Sequence, residues 1–350
     1  LETIKVLVID DSAFMRKLIS DFLNEHPHIE VIGTARNGEE GLEKIHALKP
    51  NVVTLDIEMP VLNGLETLER IMKQYPLPVI MLSSQTKAGT EITIRCLQKG
   101  AFDFIEKPSG SISLDLYKVK EQLIEKVMHA YQAQQKVKFQ HHKITPKNQI
   151  ENSMERKRSP NEKVIVAIGT STGGPKALHQ VIPFLRKQPH VVYFVVQHMP
   201  PGFTHSLAER LNAVSELFVK EAEQGEKVQH GVVYIAPGGY NMKIVQKGNE
   251  LQIDIVDTMQ NEIYRPSVNI LFESLSKIKG YSKIAVIMTG MGSDGTAGLK
   301  LLKSDGNVTS IAQSEESSII FGMPKAAIAA NVIDYIVDLK DLAKTIKCLI

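Results

Sequence analysis

The sequence predicts an α/β protein with two parallel-sheet domains joined by a polar linker. Three observations predict it. Short β-rich apolar runs alternate with helical spacing through the first 108 residues. From about Tyr131 to Glu162 that rhythm dissolves into Gln, Lys, His, Asn, Ser and Pro. At Val164 it resumes, and each apolar run is followed by a glycine- or proline-rich turn and then a helical pattern. A length of 350 residues suits two domains better than one. The expected boundaries are 1–125 for the first domain, 126–162 for the linker and 163–350 for the second domain.

In the first domain, strands are expected at Ile4–Ile9, Glu30–Thr34, Val52–Leu55, Val79–Leu82 and Phe102–Ile105. Met15, Leu18, Ile19 and Phe22 follow i, i+3, i+4, i+7 spacing, one face of a helix. Asn37 followed by Glu40 resembles a capping arrangement ahead of Leu42, Ile45 and Leu48. Leu65, Leu68 and Met72 form another stripe, and Leu116, Val119, Leu123 and Val127 a last one. Five strand–helix units in this order imply a parallel sheet covered by helices on both faces. The linker carries Lys136, Lys138, Lys143, Lys147, Arg156, Lys157 and Arg158, so it reads as a solvated basic connector, partly helical at its start. A basic docking segment for acidic partners or a membrane is the alternative.

Asp10 and Asp11 close the first strand, Asp56 the third and Lys107 the fifth. Ligands of open α/β sheets collect at the carboxyl ends of strands. In the flavodoxin-like strand order 2-1-3-4-5 the first and third strands are neighbours, so the three carboxylates converge. Such a cluster repels itself and calls for a hard cation, and Mg²⁺ suits an all-oxygen, partly hydrated site. A carboxylate neutralised in this way can attack a phosphoryl group. The bland alternative for Asp-Asp alone is a helix N-cap.

In the second domain, Val164–Ile168, Val191–Val196 and Ile284–Thr289 read as buried parallel strands. Met242 and Ile244, then Leu251, Ile253 and Ile255, alternate around Lys247-Gly248-Asn249, which predicts an inserted β-hairpin. Gly169-Thr170-Ser171-Thr172-Gly173 fits G-x-S-x-G, a turn that lifts a serine above a sheet at the mouth of a helix. A glycine-rich anion-binding turn is the alternative. His198 and Asp294 each follow another predicted strand, so Ser171, His198 and Asp294 fall on one rim, as a nucleophile–base–carboxylate set requires. Residues Gly290 to Gly295 also spell G-x-G-x-x-G with Glu315 about 20 residues on, the outline of a dinucleotide site. Asp294 argues against it, because a carboxylate would stand where a pyrophosphate should meet helix amides.

These motifs carry a resemblance. VLVIDDS (6–12), TLDIEMPVLNGLE (54–66), IMLSS (80–84) and DFIEKP (103–108) resemble a response-regulator receiver domain. IGTSTGGPKAL (168–178), VVQHMPPGFTHSLAERL (195–211), YIAPGGYNM (234–242), RPSVNILFESL (265–275), IMTGMGSDGTAGL (287–299) and FGMPKAAI (321–328) resemble the catalytic domain of the CheB chemotaxis methylesterase family. The resemblance implies that Asp56 accepts phosphate from a chemotaxis histidine kinase, and that Mg²⁺ is held by Asp10, Asp11, Asp56 and the Glu58 carbonyl. It implies that Ser83 contacts the phosphoryl group, that Phe104 is the aromatic that swings inward, and that the Lys107–Pro108 bond is cis. Core packing is the alternative for Phe104. In the second domain it implies Ser171 as nucleophile, His198 as base and then acid, Asp294 as the residue orienting the imidazole, and the amides of Thr172 and Met291 as oxyanion donors. The implied activity is hydrolysis of glutamate γ-methyl esters, and deamidation of glutamines, on chemoreceptor cytoplasmic regions, with no cofactor for the esterase chemistry. The unphosphorylated receiver would block the serine site. A response regulator with a non-catalytic, partner-binding output domain is the competing expectation.

Bulk composition is that of a soluble globular protein: 43% hydrophobic, 23% charged and a net charge of +2, which argues against a nucleic-acid binder. No apolar run approaches the roughly 20 residues of a membrane span. The sequence opens directly on a strand pattern, so no signal peptide is expected. Cys96 and Cys348 fall in different expected domains, which points to free thiols and a cytoplasmic setting. A monomer is expected.

Overall fold

The structure, a computed structural model, describes residues 2–107, 113–140, 162–257, 264–304 and 306–350, with backbone only at 113–118 and 136–140. The chain divides into two compact units, Leu1–Thr145 and Pro146–Ile350.

The first unit alternates strand and helix: β1 (Ile4–Ile9), α1 (Ala13–Asn24), β2 (Ile29–Ala35), α2 (Gly38–Leu48), β3 (Val52–Asp56), α3 (Gly64–Gln74), β4 (Val79–Ser83), α4 (Lys87–Lys99), β5 (Asp103–Glu106) and α5 (Ser113–Gln140). The strands form one parallel sheet in the order β2-β1-β3-β4-β5. β3 and β4 are buried along their whole length, which explains their mostly apolar character. Ser12, Asn37, Asn63 and Thr86 each accept a backbone N–H of the helix that follows. Such caps contribute about 1 kcal/mol apiece. Ser12, and neither Asp10 nor Asp11, caps α1, which leaves both carboxylates to the strand-end site. The α1 stripe is buried most deeply at Ile19 and at Leu23, one position beyond the predicted face.

The start of the expected 126–162 linker is helical. α5 continues to Gln140, beyond the predicted start of the linker at residue 126, and buries Leu123, Val127 and Ala130. Apolar burial on one face carries the helix through a segment whose exposed residues look linker-like. Pro108, and with it the Lys107–Pro108 bond, lies outside the described residues, as does the basic stretch 141–161.

The second unit is built on seven strands: β6 (Val164–Thr170), β7 (Val191–Gln197), β8 (Phe218–Glu221), β9 (Val232–Ile235), β12 (Ser282–Ile287), β13 (Val308–Gln313) and β14 (Tyr335–Val337). They run parallel in the order β14-β13-β12-β6-β7-β9-β8. The helices are α6 (Gly174–Val181), α7 (Phe203–Asn212), α8 (Val268–Ser276), α9 (Thr296–Lys303), α10 (Met323–Ala329) and α11 (Leu339–Leu349). β10 (Asn241–Lys247) and β11 (Glu250–Val256) form the predicted hairpin as a separate antiparallel pair, with Lys247 opposite Glu250. Its apolar face, Met242, Ile244, Leu251 and Ile253, joins the core that includes Val268, Leu271 and Phe272 of α8. From β6 the chain passes to β7, then to the edge strand β8 and back to β9 between them, before returning to β12 on the other side of β6. The reversal between β6 and β12 is where open α/β sheets place ligands. Among the described residues no helix is long and apolar enough to cross a membrane.

Candidate active site

Thr170 and Gln197 are partners in the β6–β7 ladder, so Ser171 and His198 leave adjacent parallel strands side by side. His198 N–H donates to Thr170 O at 3.1 Å, and Ser171 N–H to Thr289 O at 3.0 Å, just past the end of β12. The Gln197 amide ties the two turns together: Nε2 donates to Ser171 O at 3.0 Å and to His198 O at 3.1 Å. Gly173 turns at φ 79° into α6, with Pro175 in the first helical turn. Gly290 permits close approach, since a Cβ there would lie 2.8 Å from Ser171 Cβ and 3.0 Å from Ser171 N. The Gly290–Met291 backbone therefore runs beside the serine. The Thr172 carbonyl accepts from Thr289 Oγ1 at 3.0 Å, which fixes the turn after Ser171.

Asp294, on the turn between β12 and α9, is 2.8 Å from His198 Nε2 through Oδ2. Its other donors come from the start of α8. Val268 N–H reaches Oδ2 at 2.7 Å, and Asn269 N–H and Ser267 Oγ reach Oδ1 at 2.9 and 3.1 Å. The carboxylate thus occupies the anion position at a helix N-terminus. Burial pushes its pKa up, but His198 and the Asn269 and Val268 amides outweigh burial and hold it below the usual carboxylate value. A carboxylate only accepts, so the proton of the neutral imidazole sits on Nε2. Nδ1 is buried and without a hydrogen-bond partner, leaving its lone pair available. The α9 start also argues against a dinucleotide at the G-x-G-x-x-G turn: the Gly295 and Gly298 amides that a pyrophosphate would use already donate to Asn269 Oδ1.

Three further residues shape this site. Asn241 Oδ1 accepts from Ser267 N–H at 2.8 Å, bracing the segment that holds Asp294. Asn269 Oδ1 accepts from Gly295 N–H at 3.0 Å and Gly298 N–H at 2.7 Å, capping α9. The Tyr264 ring lies flat on the His198 imidazole, centroids 4.4 Å apart and planes 6° from parallel. Asn241, Tyr264, Ser267 and Asn269 fall in or beside the motifs at 234–242 and 265–275, which was the signal for them. The sequence offered no pattern that assigned each a contact.

In the first unit, Asp10 and Asp56 are buried and Asp11 is exposed, and an oxygen from each lies within 4.8 Å of the others. Lys107 Nζ is 3.0 Å from Asp10 Oδ2 and 2.8 Å from Asp56 Oδ2. Burial pushes the Asp56 pKa up to about 6, with Asp10 adding to the rise and Lys107 opposing it. Burial lowers the Lys107 pKa, but Asp56 and Asp10 reverse that and leave it raised. A crowded set of hard oxygen donors with one lysine suits a divalent cation such as Mg²⁺. Glu58 N–H donates to Asp56 Oδ1 at 3.2 Å, keeping that peptide beside the cluster. Ser83, expected at the phosphoryl position, closes β4. Its hydroxyl is buried 2.6 Å from Thr93 Oγ1, within reach of Gly89 O at 3.4 Å, so α4 holds it rather than the carboxylates. Phe104 is buried, with Lys126 Nζ 5.8 Å from its ring centroid.

Comparison with known proteins agrees with both units. Residues 166–346 match the family model described as CheB methylesterase, and residues 6–116 match that of the response regulator receiver domain. The chain is 55% identical to the "Protein-glutamate methylesterase/protein-glutamine glutaminase" of Geobacillus kaustophilus, across 100% of this chain and 99% of that one. It is 54% identical to the protein of the same name from Bacillus subtilis, across 98% and 97%. Among solved structures it resembles the Thermotoga maritima CheB methylesterase catalytic domain, with a TM-score of 0.51 and 42% identity, covering 53% of this chain and 97% of that one. The chain therefore belongs to the CheB methylesterase family, with a response-regulator receiver domain preceding the methylesterase domain.

Proposed function

We propose that this chain is a protein-glutamate methylesterase and protein-glutamine glutaminase that serves chemotactic adaptation and is activated through its receiver. The observation that carries the reading is the His198 imidazole, bonded to Asp294 through Nε2 with Nδ1 unpaired, on a strand end adjacent to that of Ser171. Ser171 Oγ gives its proton to Nδ1 and attacks the γ-carbonyl of a methylated glutamate on a chemoreceptor. Asp294 stabilises the imidazolium through Nε2. The amides of Thr172 and Met291 donate to the developing oxyanion, a role supported by the turn into α6 and the close passage of Gly290 beside Ser171. The imidazolium returns the proton to the leaving methoxide, and methanol departs. A water deprotonated by Nδ1 then splits the serine ester and releases glutamate. A receptor glutamine follows the same path, with ammonia as leaving group.

In the receiver, Asp56 accepts a phosphoryl group from a chemotaxis histidine kinase, and Lys107 pairs with the product's charge. Asp10, Asp11 and Asp56, with the Glu58 carbonyl, would hold Mg²⁺, whose charge when bound offsets the carboxylates and phosphoryl oxygens. Ser83 must turn away from Thr93 to meet the phosphoryl group, so its hydroxyl and Phe104 are the parts that rearrange. Methanol release from methylated receptor membranes, with and without Mg²⁺ and acetyl phosphate, tests the reading. Faster release with both, abolished in Asp56→Asn, is expected; a rate indifferent to the phosphodonor in the wild type would contradict receiver control.

A further inference from the structure

Tyr264 has no role in the chemistry above, yet its ring is the surface against which the base lies. The centroids are 4.4 Å apart and the rings are 6° from parallel. At its hydroxyl end the ring abuts the Gly292 turn, where a Cβ would sit 3.0 Å from the Tyr264 hydroxyl oxygen. The following residues are anchored too. Arg265 O accepts from Gly239 N–H at 3.2 Å, and Arg265 Nη1 pairs with Asp257 at 3.0 Å. Ser267 is braced by Asn241. The stack is thus a held surface and not a chance contact of two loose rings.

A single hydrogen bond from Nε2 to Asp294 leaves an imidazole free to rock about that bond, which sweeps Nδ1 through an arc. A flat ring against one face removes that freedom. The face of a phenol ring is also electron-rich, so it favours the imidazolium over the neutral ring. Asp294 is the one ion-pair partner of His198 among the described residues, and Tyr264 is its one ring contact. We propose that Tyr264 is a positioning residue for the esterase. Its ring, independently of its hydroxyl, holds the plane of His198 so that Nδ1 stays aimed at Ser171, and it supports the positive charge His198 acquires during acyl transfer. The inference rests on the serine mechanism above.

The test compares wild type, Tyr264→Phe, Tyr264→Leu, Tyr264→Met and Ser171→Ala in methanol release from methylated receptor membranes, as kcat and KM between pH 5 and 9. Leu and Met keep apolar cover over His198 without a π face, and two such variants guard against one failing to fold. Tyr264→Phe should match wild type within about twofold. Leu and Met should lose about tenfold in kcat with KM little changed, and their acidic limb should move about half a pH unit lower. Unchanged kcat and pH profile in folded Leu or Met variants would overturn the proposal, as would an equal loss in Tyr264→Phe. Ser171→Ala separates the two levels: if it retains wild-type activity the serine mechanism itself fails, whereas an inactive Ser171→Ala beside unaffected Tyr264 variants removes only the role of Tyr264.

Discussion

Asp294 accepts hydrogen bonds from His198, Ser267, Val268, Asn269 and Gly295, so its orientation is set from two helices and a turn before any substrate arrives. Asparagine at 294 would keep the shape but present an NH₂ group to N–H donors. It would favour the imidazole tautomer that carries its proton on Nδ1, the wrong nitrogen for a base. Asp294→Asn should therefore lower kcat by on the order of 10³–10⁴ while leaving the fold intact, as read by methanol release and circular dichroism. Asp56 presents the opposite electrostatic case. Its folded pKa of about 6 lies above the ordinary aspartate value of 3.8, so the folded receiver binds the more protons between those values. Stability without metal then falls as pH rises through that window and is lowest above it. Asp56→Asn should flatten this dependence and raise stability near pH 7.5 by roughly 1–3 kcal/mol, measured by urea unfolding without divalent ions. At this scale the strand-end residues Ser171, His198, Asp294, Asp10, Asp56 and Lys107 were legible because strand periodicity locates strand ends. Tyr264 and Gln197 were not. A stack between residues 66 positions apart (198 to 264) leaves no periodic trace, and Gln197 looks like any polar residue closing a strand.

Two helix starts exchange caps across the site: Asp294, just before α9, binds the first amides of α8, while Asn269, within α8, binds Gly295 and Gly298 of the α9 start. Removing either side loosens both turns. Asn269→Ala should cost about 1–2 kcal/mol of catalytic-unit stability and reduce activity further than stability alone explains, because the Asp294 turn loses its brace. Thermal melting and methanol release on the same preparation check this. Gly290→Ala is the sharper probe. Its Cβ would come within 2.4 Å of Met323 Sδ and 2.8 Å of Ser171 Cβ, so the serine turn must shift and activity should be lost. Several elements were hard to read for a local reason. β8 is four residues long and begins with an exposed Phe218, and β14 has only three residues. Neither offers enough alternation to stand out from a loop. The hairpin β10–β11 was legible because it alternates cleanly on both sides of a two-residue turn. The full length of α5 was only partly legible, because its polar residues outnumber the few that anchor it.

Across the whole molecule, the same arrangement serves two chemistries: each sheet carries its candidate site residues at or just beyond the carboxyl ends of its strands. Removing residues 1–161 should leave an esterase that no longer responds to acetyl phosphate, tested by comparing the stimulated and basal rates of the two forms. The central claim is that Ser171 performs ester cleavage. It is tested most directly by the initial rate of methanol release from methylated receptor membranes by Ser171→Ala, with the purified variant confirmed as folded. The account predicts release at the rate of membranes alone; release at or near the wild-type rate would contradict it.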